Sequence, residues 1–370
     1  VDNLKNNQFI CNAVWNSITV YPDGKIAPCC VYDYSMIRPN SDFQGTETFS
    51  DLQQEMLNGE CPAGCRRCWE DEHNGLFSYR SNYGDDPSQR ESIRYLDLRN
   101  NNTCNLSCRI CSPSFSSTWT KLVGDLEFER FDVWPMLENI TEGDLKEIYF
   151  TGGEPMLNPD HWKLLDRLIA NGHSQNINLR YNTNLSTSVY QGRSVTDLWK
   201  KFKHISIYAS LEAIGEPAEY IRSGLSWTKA ESTIENFLKF REQHQTIDIS
   251  VFCTVGLLNI WFLQDLVDWC HERNIDLKIS ELHGPDFLSL ASLPKEFKDI
   301  IPKITLSQDK YFDDNLKVLE LATSRVGETQ DFFLHTIAHI LMMDKLRGDH
   351  MFDLLPKELQ NFAKRRVLLV

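Results

Sequence analysis

The sequence lacks the features that would send it to a membrane, out of a cell or onto nucleic acid. No apolar run approaches the ~20 residues needed to span a bilayer. The start, Val1-Asp2-Asn3-Leu4-Lys5, has no basic-then-apolar secretion pattern. Positive charge is scarce: 38 Lys and Arg stand against 52 Asp and Glu, a formal net charge of −14. That balance weighs against a broad phosphate-binding surface, and the short clusters Arg66-Arg67 and Lys364-Arg365-Arg366 do not reverse it. Internal repeats and low-complexity segments are missing too. The expectation is a cytoplasmic globular protein with neither nucleic-acid nor membrane partners.

Cysteine, by contrast, is plentiful, with 11 in 370 residues. Without a secretion pattern, thiols in that number point to metal ligation in a reducing compartment rather than to disulfides. Three of them lie in Asn102-Thr103-Cys104-Asn105-Leu106-Ser107-Cys108-Arg109-Ile110-Cys111, spaced Cys-x3-Cys-x2-Cys directly after the apolar segment Ile93 to Leu98. Three close thiolates can hold three irons of a cubane cluster and leave the fourth without a protein ligand. A cluster meant only for electron transfer is usually closed by four cysteines. Structural zinc also wants four ligands, and no His follows Cys111 closely.

Three regions follow one another. Residues 1–90 are cysteine- and turn-rich, with a strand over Trp15 to Tyr21, the turn Pro22-Asp23-Gly24-Lys25, a second short strand Lys25 to Ala27, and a helix over Thr48 to Asn58. The polar run Asn82 to Ser88 is a linker candidate. Over residues 91–290, strands at Ile93–Leu98, Glu147–Thr151, Asn176–Thr183, His204–Ser210, Ile247–Val255 and Asp276–Glu281 alternate with amphipathic helix patterns such as Trp162, Leu165 and Leu168. Such alternation implies an α/β fold with a parallel sheet and right-handed crossovers, and six units suggest a partial (β/α)6 barrel. Residues 291–370 read as a helical C-terminal region, with a possible start at Leu293-Pro294-Lys295 and helices over Phe332–Leu346 and Pro356–Val367.

In barrel-like α/β folds reactive groups collect at the C-terminal strand ends. After the first strand comes the thiol triplet, after the second Thr151-Gly152-Gly153-Glu154-Pro155, and after the third Asn182-Thr183-Asn184. Ser210-Leu211-Glu212, Thr254-Val255-Gly256 and Glu281-Leu282-His283-Gly284-Pro285 follow the remaining three. All six ends carry glycine or polar side chains that could face one mouth.

The triplet resembles the signature of radical S-adenosylmethionine (radical SAM) enzymes, in which the amino acid end of SAM chelates the open iron. Gly152-Gly153-Glu154-Pro155 resembles their Gly-Gly-Glu-Pro motif, whose glycines let the backbone approach the methionine moiety and which hydrogen-bonds its amino group. Ser210-Leu211-Glu212-Ala213 followed by Tyr220-Ile221-Arg222-Ser223-Gly224 is similar to the Ser-x-Asp-Gly and Tyr-x-Arg-x-Gly runs of SPASM/twitch-type members, departing from them at Glu212 and Ala213. The resemblance implies that Ser210 contacts SAM, that Arg222 pairs its carboxylate, and that Asn182 or Asn184 reaches its ribose or carboxylate. It also implies that Ile110 packs on the adenine.

Cys11, Cys29, Cys65 and Cys68, with Tyr21-Pro22-Asp23-Gly24-Lys25 between, look like a twitch domain placed ahead of the barrel. By that resemblance the four hold an auxiliary four-iron cluster, with Cys30 or Cys61 as substitutes. A zinc site on the same four ligands is the structural alternative. Cys253 and Cys270 read as buried unreactive thiols.

Reductive cleavage of SAM to a 5′-deoxyadenosyl radical and hydrogen abstraction from substrate are therefore the implied activity, with a flavodoxin or ferredoxin as reductant. The substrate expectation is a small polar molecule undergoing oxidation, because no leader-peptide-binding module is apparent; a peptide substrate stays open. Glu281 and His283 are candidate bases. Epimerisation would need a thiol hydrogen donor, for which Cys253 is the candidate. The alternative of another class is a non-catalytic iron–sulfur or zinc scaffold.

Overall fold

The computed structural model describes residues 9–124 and 131–367. Eleven strands are present among them: β1 (Ser17–Val20), β2 (Lys25–Ala27), β3 (Arg38–Pro39), β4 (Tyr95–Leu98), β5 (Glu147–Phe150), β6 (Asn178–Thr183), β7 (Val189–Tyr190), β8 (Arg193–Ser194), β9 (His204–Ser210), β10 (Ile247–Val255) and β11 (Asp276–Glu281). Nine form one sheet in the order β11-β10-β9-β6-β5-β4-β1-β2-β3, and β7 and β8 pair separately. The six strands expected after residue 90 are all there, in sequence order and parallel. Helices such as Pro159–Ala170, Trp227–Gln243 and Leu263–Glu272 lie between them.

Strand side chains alternate between faces, and here the two faces differ sharply. Leu96, Ile148, Leu179, Ile207, Val251 and Ile279 belong to one continuous apolar core shared with the helices. Their neighbours Asp97, Tyr149, Arg180, Tyr208, Phe252 and Lys278 stand on the opposite face. Register carries this polar face across the sheet, with Thr19 opposite Asp97, Asp97 opposite Tyr149 and Tyr149 opposite Arg180.

The expected N-terminal hairpin forms, with Thr19 opposite Ala27. It is not set apart, however: β1 runs parallel to β4 and extends the same sheet, and Ile18, Val20 and Ile26 join the main core. A second, smaller core gathers Cys11, Val14, Trp15, Cys29, Phe49, Leu52 and Met56. The helix expected over Thr48 to Asn58 occupies Ser50–Leu57. The polar run after Asn82 is pinned rather than free, because Asn12 Nδ2 donates to Asp86 O at 2.9 Å and Arg90 Nε donates to Asn12 Oδ1 at 2.7 Å.

At the C-terminal side, helices Phe333–Arg347 and Lys357–Val367 match the expected patterns, whereas Lys295–Ile300 is only a 3-10 segment. The helix Phe312–Ser324 was not foreseen. It covers the edge of the sheet: Asn315 accepts from Ile279 N at 2.8 Å and donates to Leu277 O at 2.6 Å, so the β11 backbone is partnered as if by another strand. Among the described residues no helix is long and apolar enough to cross a membrane.

Candidate active site

The thiol loop leaves the C-terminal end of β4 and is gripped from two sides. From β5, Glu154 N donates to Thr103 O at 2.7 Å and Gly153 N to Asn101 O at 3.3 Å. From the segment beyond β9, Ser223 O and Ile221 O accept from Ser107 N and Arg109 N at 2.9 and 2.8 Å. Side chains complete the frame: Trp119 Nε1 donates to Cys108 O at 2.7 Å and Thr118 Oγ1 to Cys104 O at 2.8 Å. The motif strings Gly152–Pro155 and Tyr220–Gly224 therefore act first as backbone clamps on the triplet.

Close approach explains the glycines. A Cβ on Gly153 would stand 2.3 Å from Thr103 O, a backbone atom that no side-chain rotation can move away. Gly224 has φ +95° and would place a Cβ 3.2 Å from Asn105 O. Gly153→Ala is therefore expected to displace the loop at a cost of about 1–3 kcal/mol, visible as a lower denaturation midpoint together with reduced iron uptake on reconstitution. Native stability and iron content in that variant would show the contact to be unimportant.

Glu154 is buried and bound to this chain rather than exposed for a ligand. Its carboxylate accepts from Asn184 N at 2.7 Å, Thr183 Oγ1 at 2.9 Å and Met156 N at 3.2 Å. Burial raises its pKa to about 7 against these donors, which favour the ionised form. It thereby ties the end of β6 to the loop after β5. Asn184 turns toward the thiols, with Nδ2 3.1 Å from Asn105 Oδ1 and 3.7 Å from Cys104 Sγ. Asn182 lies one strand step away on the polar face, its Oδ1 buried without a partner. Ser210 ends β9 on that same face.

Two of the Arg222 N–H groups pair with Glu212, Nε with Oε2 at 2.6 Å and Nη2 with Oε1 at 2.8 Å. Only Nη1 is left without Glu212, and it stands 3.8 Å from Cys108 Sγ.

As thiols, Cys104 and Cys108 are pushed up by burial to about 11 and about 12, and Cys111 is raised for the same reason. Arg222 opposes the shift at all three. Metal coordination would deprotonate them outright. As they stand, no group of three or more His, Cys, Asp or Glu among the described residues is gathered so as to hold a metal ion. The fit to a cluster rests on donor chemistry. Three thiols share one loop, and Leu106 N at 3.5 Å and Asn184 Nδ2 at 3.7 Å from Cys104 Sγ, with Arg222 Nη1 near Cys108 Sγ, supply the N–H groups that anionic sulfur needs.

Beside the triplet opens a cavity of about 570 Å³ lined by Arg99, Ile110, Cys111, Phe115, Thr151, Gly152 and Pro285. It sits at the C-terminal strand ends and lies within the usual range for small-ligand sites. Ile110 is thus on the cavity wall.

Other expected residues are not brought together with it. Cys253 lies on the helix-side face of β10, 0% exposed within the apolar core, with Asn259 Nδ2 3.3 Å from its sulfur. Its side chain therefore points into the core, away from the polar face. Glu281, a candidate base, accepts from Arg325 Nη1 at 2.7 Å. His283 lines a neighbouring cavity with Arg67, Tyr79, Phe252 and Lys278. Partial desolvation, then Arg67 and Arg325, push its pKa down to about 4, leaving it neutral near pH 7.

In the N-terminal region Cys11, Cys29, Cys65 and Cys68 line one small cavity with Tyr32, Trp69 and Arg80. Burial raises all four thiols, Cys11 to about 12, and the electrostatic influence of the other three on Cys29 reflects their nearness. Cys30 turns the other way, lining a cavity with Asp97, Tyr149 and Arg180 on the polar face, while Cys61 is partly exposed with its Sγ near Pro62 O. Sequence reasoning missed Arg109 altogether. Its guanidinium is buried, donating from Nε to Tyr220 O at 3.1 Å and from Nη2 to Asp349 at 3.0 Å and to Asp344. No spacing rule links residues so far apart in the chain.

Comparison with known proteins is consistent with this geometry. A stretch of 115 residues is 30% identical to the GTP 3′,8-cyclase of Campylobacter lari, covering 31% of this chain and 34% of that enzyme. The matched stretch therefore spans about a third of that relative's length. The crystal structure of Streptococcus suis SuiB bound to S-adenosylmethionine aligns over 75% of this chain and 50% of that one, at 14% identity and a TM-score of 0.38, a loose likeness. Residues 101–270, from the thiol loop to the helix before β11, match the profile of the Radical SAM superfamily.

Proposed function

We propose that this chain is a radical SAM enzyme that abstracts hydrogen from a small polar substrate held on the polar face of its sheet, and that the net outcome is oxidation. The observation that carries the reading is the grip of Gly152–Pro155 and Tyr220–Gly224 on a three-thiol loop beside a cavity at the strand ends. Cys104, Cys108 and Cys111 would hold a four-iron cluster, which would supply the electron for reductive cleavage of SAM.

The chain's own residues do the rest. Gly152 brings backbone to the cavity, Gly153 lets backbone pass against Thr103 O, Ile110 offers an apolar wall to an adenine, and Asn182 presents an unpaired acceptor on the face below. Glu212 holds Arg222 so that one N–H remains turned to Cys108. The sheet with its thiol loop would serve as a partial (β/α)6 barrel.

Cys11, Cys29, Cys65 and Cys68 would carry a second, auxiliary cluster of the twitch type. The peptide from Cys29 to Cys30 passes directly from that four-thiol cavity to the polar-face cavity. An electron acceptor there favours substrate oxidation: loss of a hydrogen atom, then an electron, with a proton passing to a base such as neutral His283. A flavodoxin or ferredoxin would supply electrons to the triplet. The cyclase likeness covers too little of either chain to set the substrate.

Turnover in heavy water tests the outcome. Oxidation gives a product two hydrogens lighter than substrate with no new carbon-bound deuterium. Uptake of one solvent deuterium at unchanged oxidation level would overturn the oxidation reading.

A further inference from the structure

The last turn of helix Phe333–Arg347 brings a cation to the thiol loop for which no hydrogen-bond or ion-pair partner exists among the described residues. The Arg347 guanidinium lies over the Trp119 ring at 4.5 Å, and Trp119 in turn holds Cys108 O through its Nε1 at 2.7 Å. All three guanidinium nitrogens of Arg347 are buried without a hydrogen-bond partner. The two acids nearby are engaged elsewhere, since Asp344 and Asp349 both accept from Arg109, and Asp344 also accepts from Phe352 N at 2.9 Å. Burial and the neighbouring Arg109 push the Arg347 pKa down to about 10, so it stays charged at neutral pH, and Cys108 is among the groups that act on it.

A desolvated guanidinium without partners costs the apo chain stability. Its complement is an anion that the loop gains only on loading. Three thiolates around a four-iron cluster carry net negative charge, and one-electron reduction adds another unit.

Resting on the reading of the triplet as a cluster site, we infer that Arg347 is a positioning residue of that site. It is an outer cation that, through Trp119 and Cys108, stabilises the reduced cluster and raises its reduction potential. Fixed charge and hydrogen bonding around the sulfurs are the levers that set such potentials. Helix Phe333–Arg347 thus belongs functionally to the thiol loop, to which Arg109 also fastens it.

The test is a redox titration of the full-length reconstituted protein followed by electron paramagnetic resonance, reading the signal that changes on adding SAM. Arg347→Gln keeps much of the side chain's bulk and removes the charge, and its midpoint potential should fall. Arg347→Lys keeps the charge, and its midpoint should stay near native. The apo Arg347→Gln protein should be at least as stable to denaturant as the native chain, because an unpaired buried charge has gone. A SAM-responsive cluster with unchanged potential in Arg347→Gln, or equal shifts in both variants, would overturn the inference alone. Absence of any SAM-responsive signal in the native protein would overturn the cluster reading and this inference with it.

Discussion

Replacing Cys104, Cys108 and Cys111 together by alanine is expected to abolish SAM cleavage and to lower the iron of the reconstituted protein from about eight to about four per chain. The two thiol groups sit on separate segments of the chain and in different cores. Cys11 and Cys29 belong to the small N-terminal core, whereas Cys104 and Cys108 pack against the main one. The N-terminal site should therefore fill independently. Retained 5′-deoxyadenosine formation in the triple variant would show that the open iron is elsewhere. Iron falling to zero would show that the two sites do not assemble separately. Zinc in place of the remaining iron would assign the N-terminal group as a structural zinc site.

Arg222→Ala should be the most damaging single change to folding stability around the loop, at about 3–5 kcal/mol. The reason is the partner left behind. Glu212 is only 2% exposed and loses both of its short contacts at once. Arg222→Lys replaces a fork by a point charge and should cost less, about 1–3 kcal/mol. Denaturant midpoints of the apo proteins give both numbers. If Glu212→Gln restores most of the stability of Arg222→Ala, the stranded carboxylate is the cause; no recovery would point to lost packing instead.

Much of this arrangement could be read from the chain before any coordinates. Several of the strands after residue 90 announce themselves by alternating aliphatic and polar residues, as in Asn178 to Thr183 or His204 to Ser210, and that alternation survives as the two faces of the sheet. The thiol triplet and Gly152–Pro155 could be placed at adjacent strand ends because both are short-range patterns tied to strands. What escaped was long-range pairing. Glu212 and Arg222 are close in sequence, yet which carboxylate takes the guanidinium depends on the turn between them. Arg109 meets Asp344 and Asp349 from opposite ends of the chain. Cys253 illustrates the other limit: it lies near a strand end, as the site requires, but an odd step along β10 points it into the core. Likewise β1 joins β4 by an edge pairing for which neither strand carries a local signal.

The most direct test is to reduce the anaerobically reconstituted protein with dithionite, add SAM without substrate, and quantify the nucleoside products. The account requires 5′-deoxyadenosine and methionine in equal amounts, dependent on reductant and absent when Cys104, Cys108 and Cys111 are alanine. A fully loaded, reducible protein that binds no SAM and forms no 5′-deoxyadenosine would contradict it, leaving the thiol loop as a metal-bound scaffold.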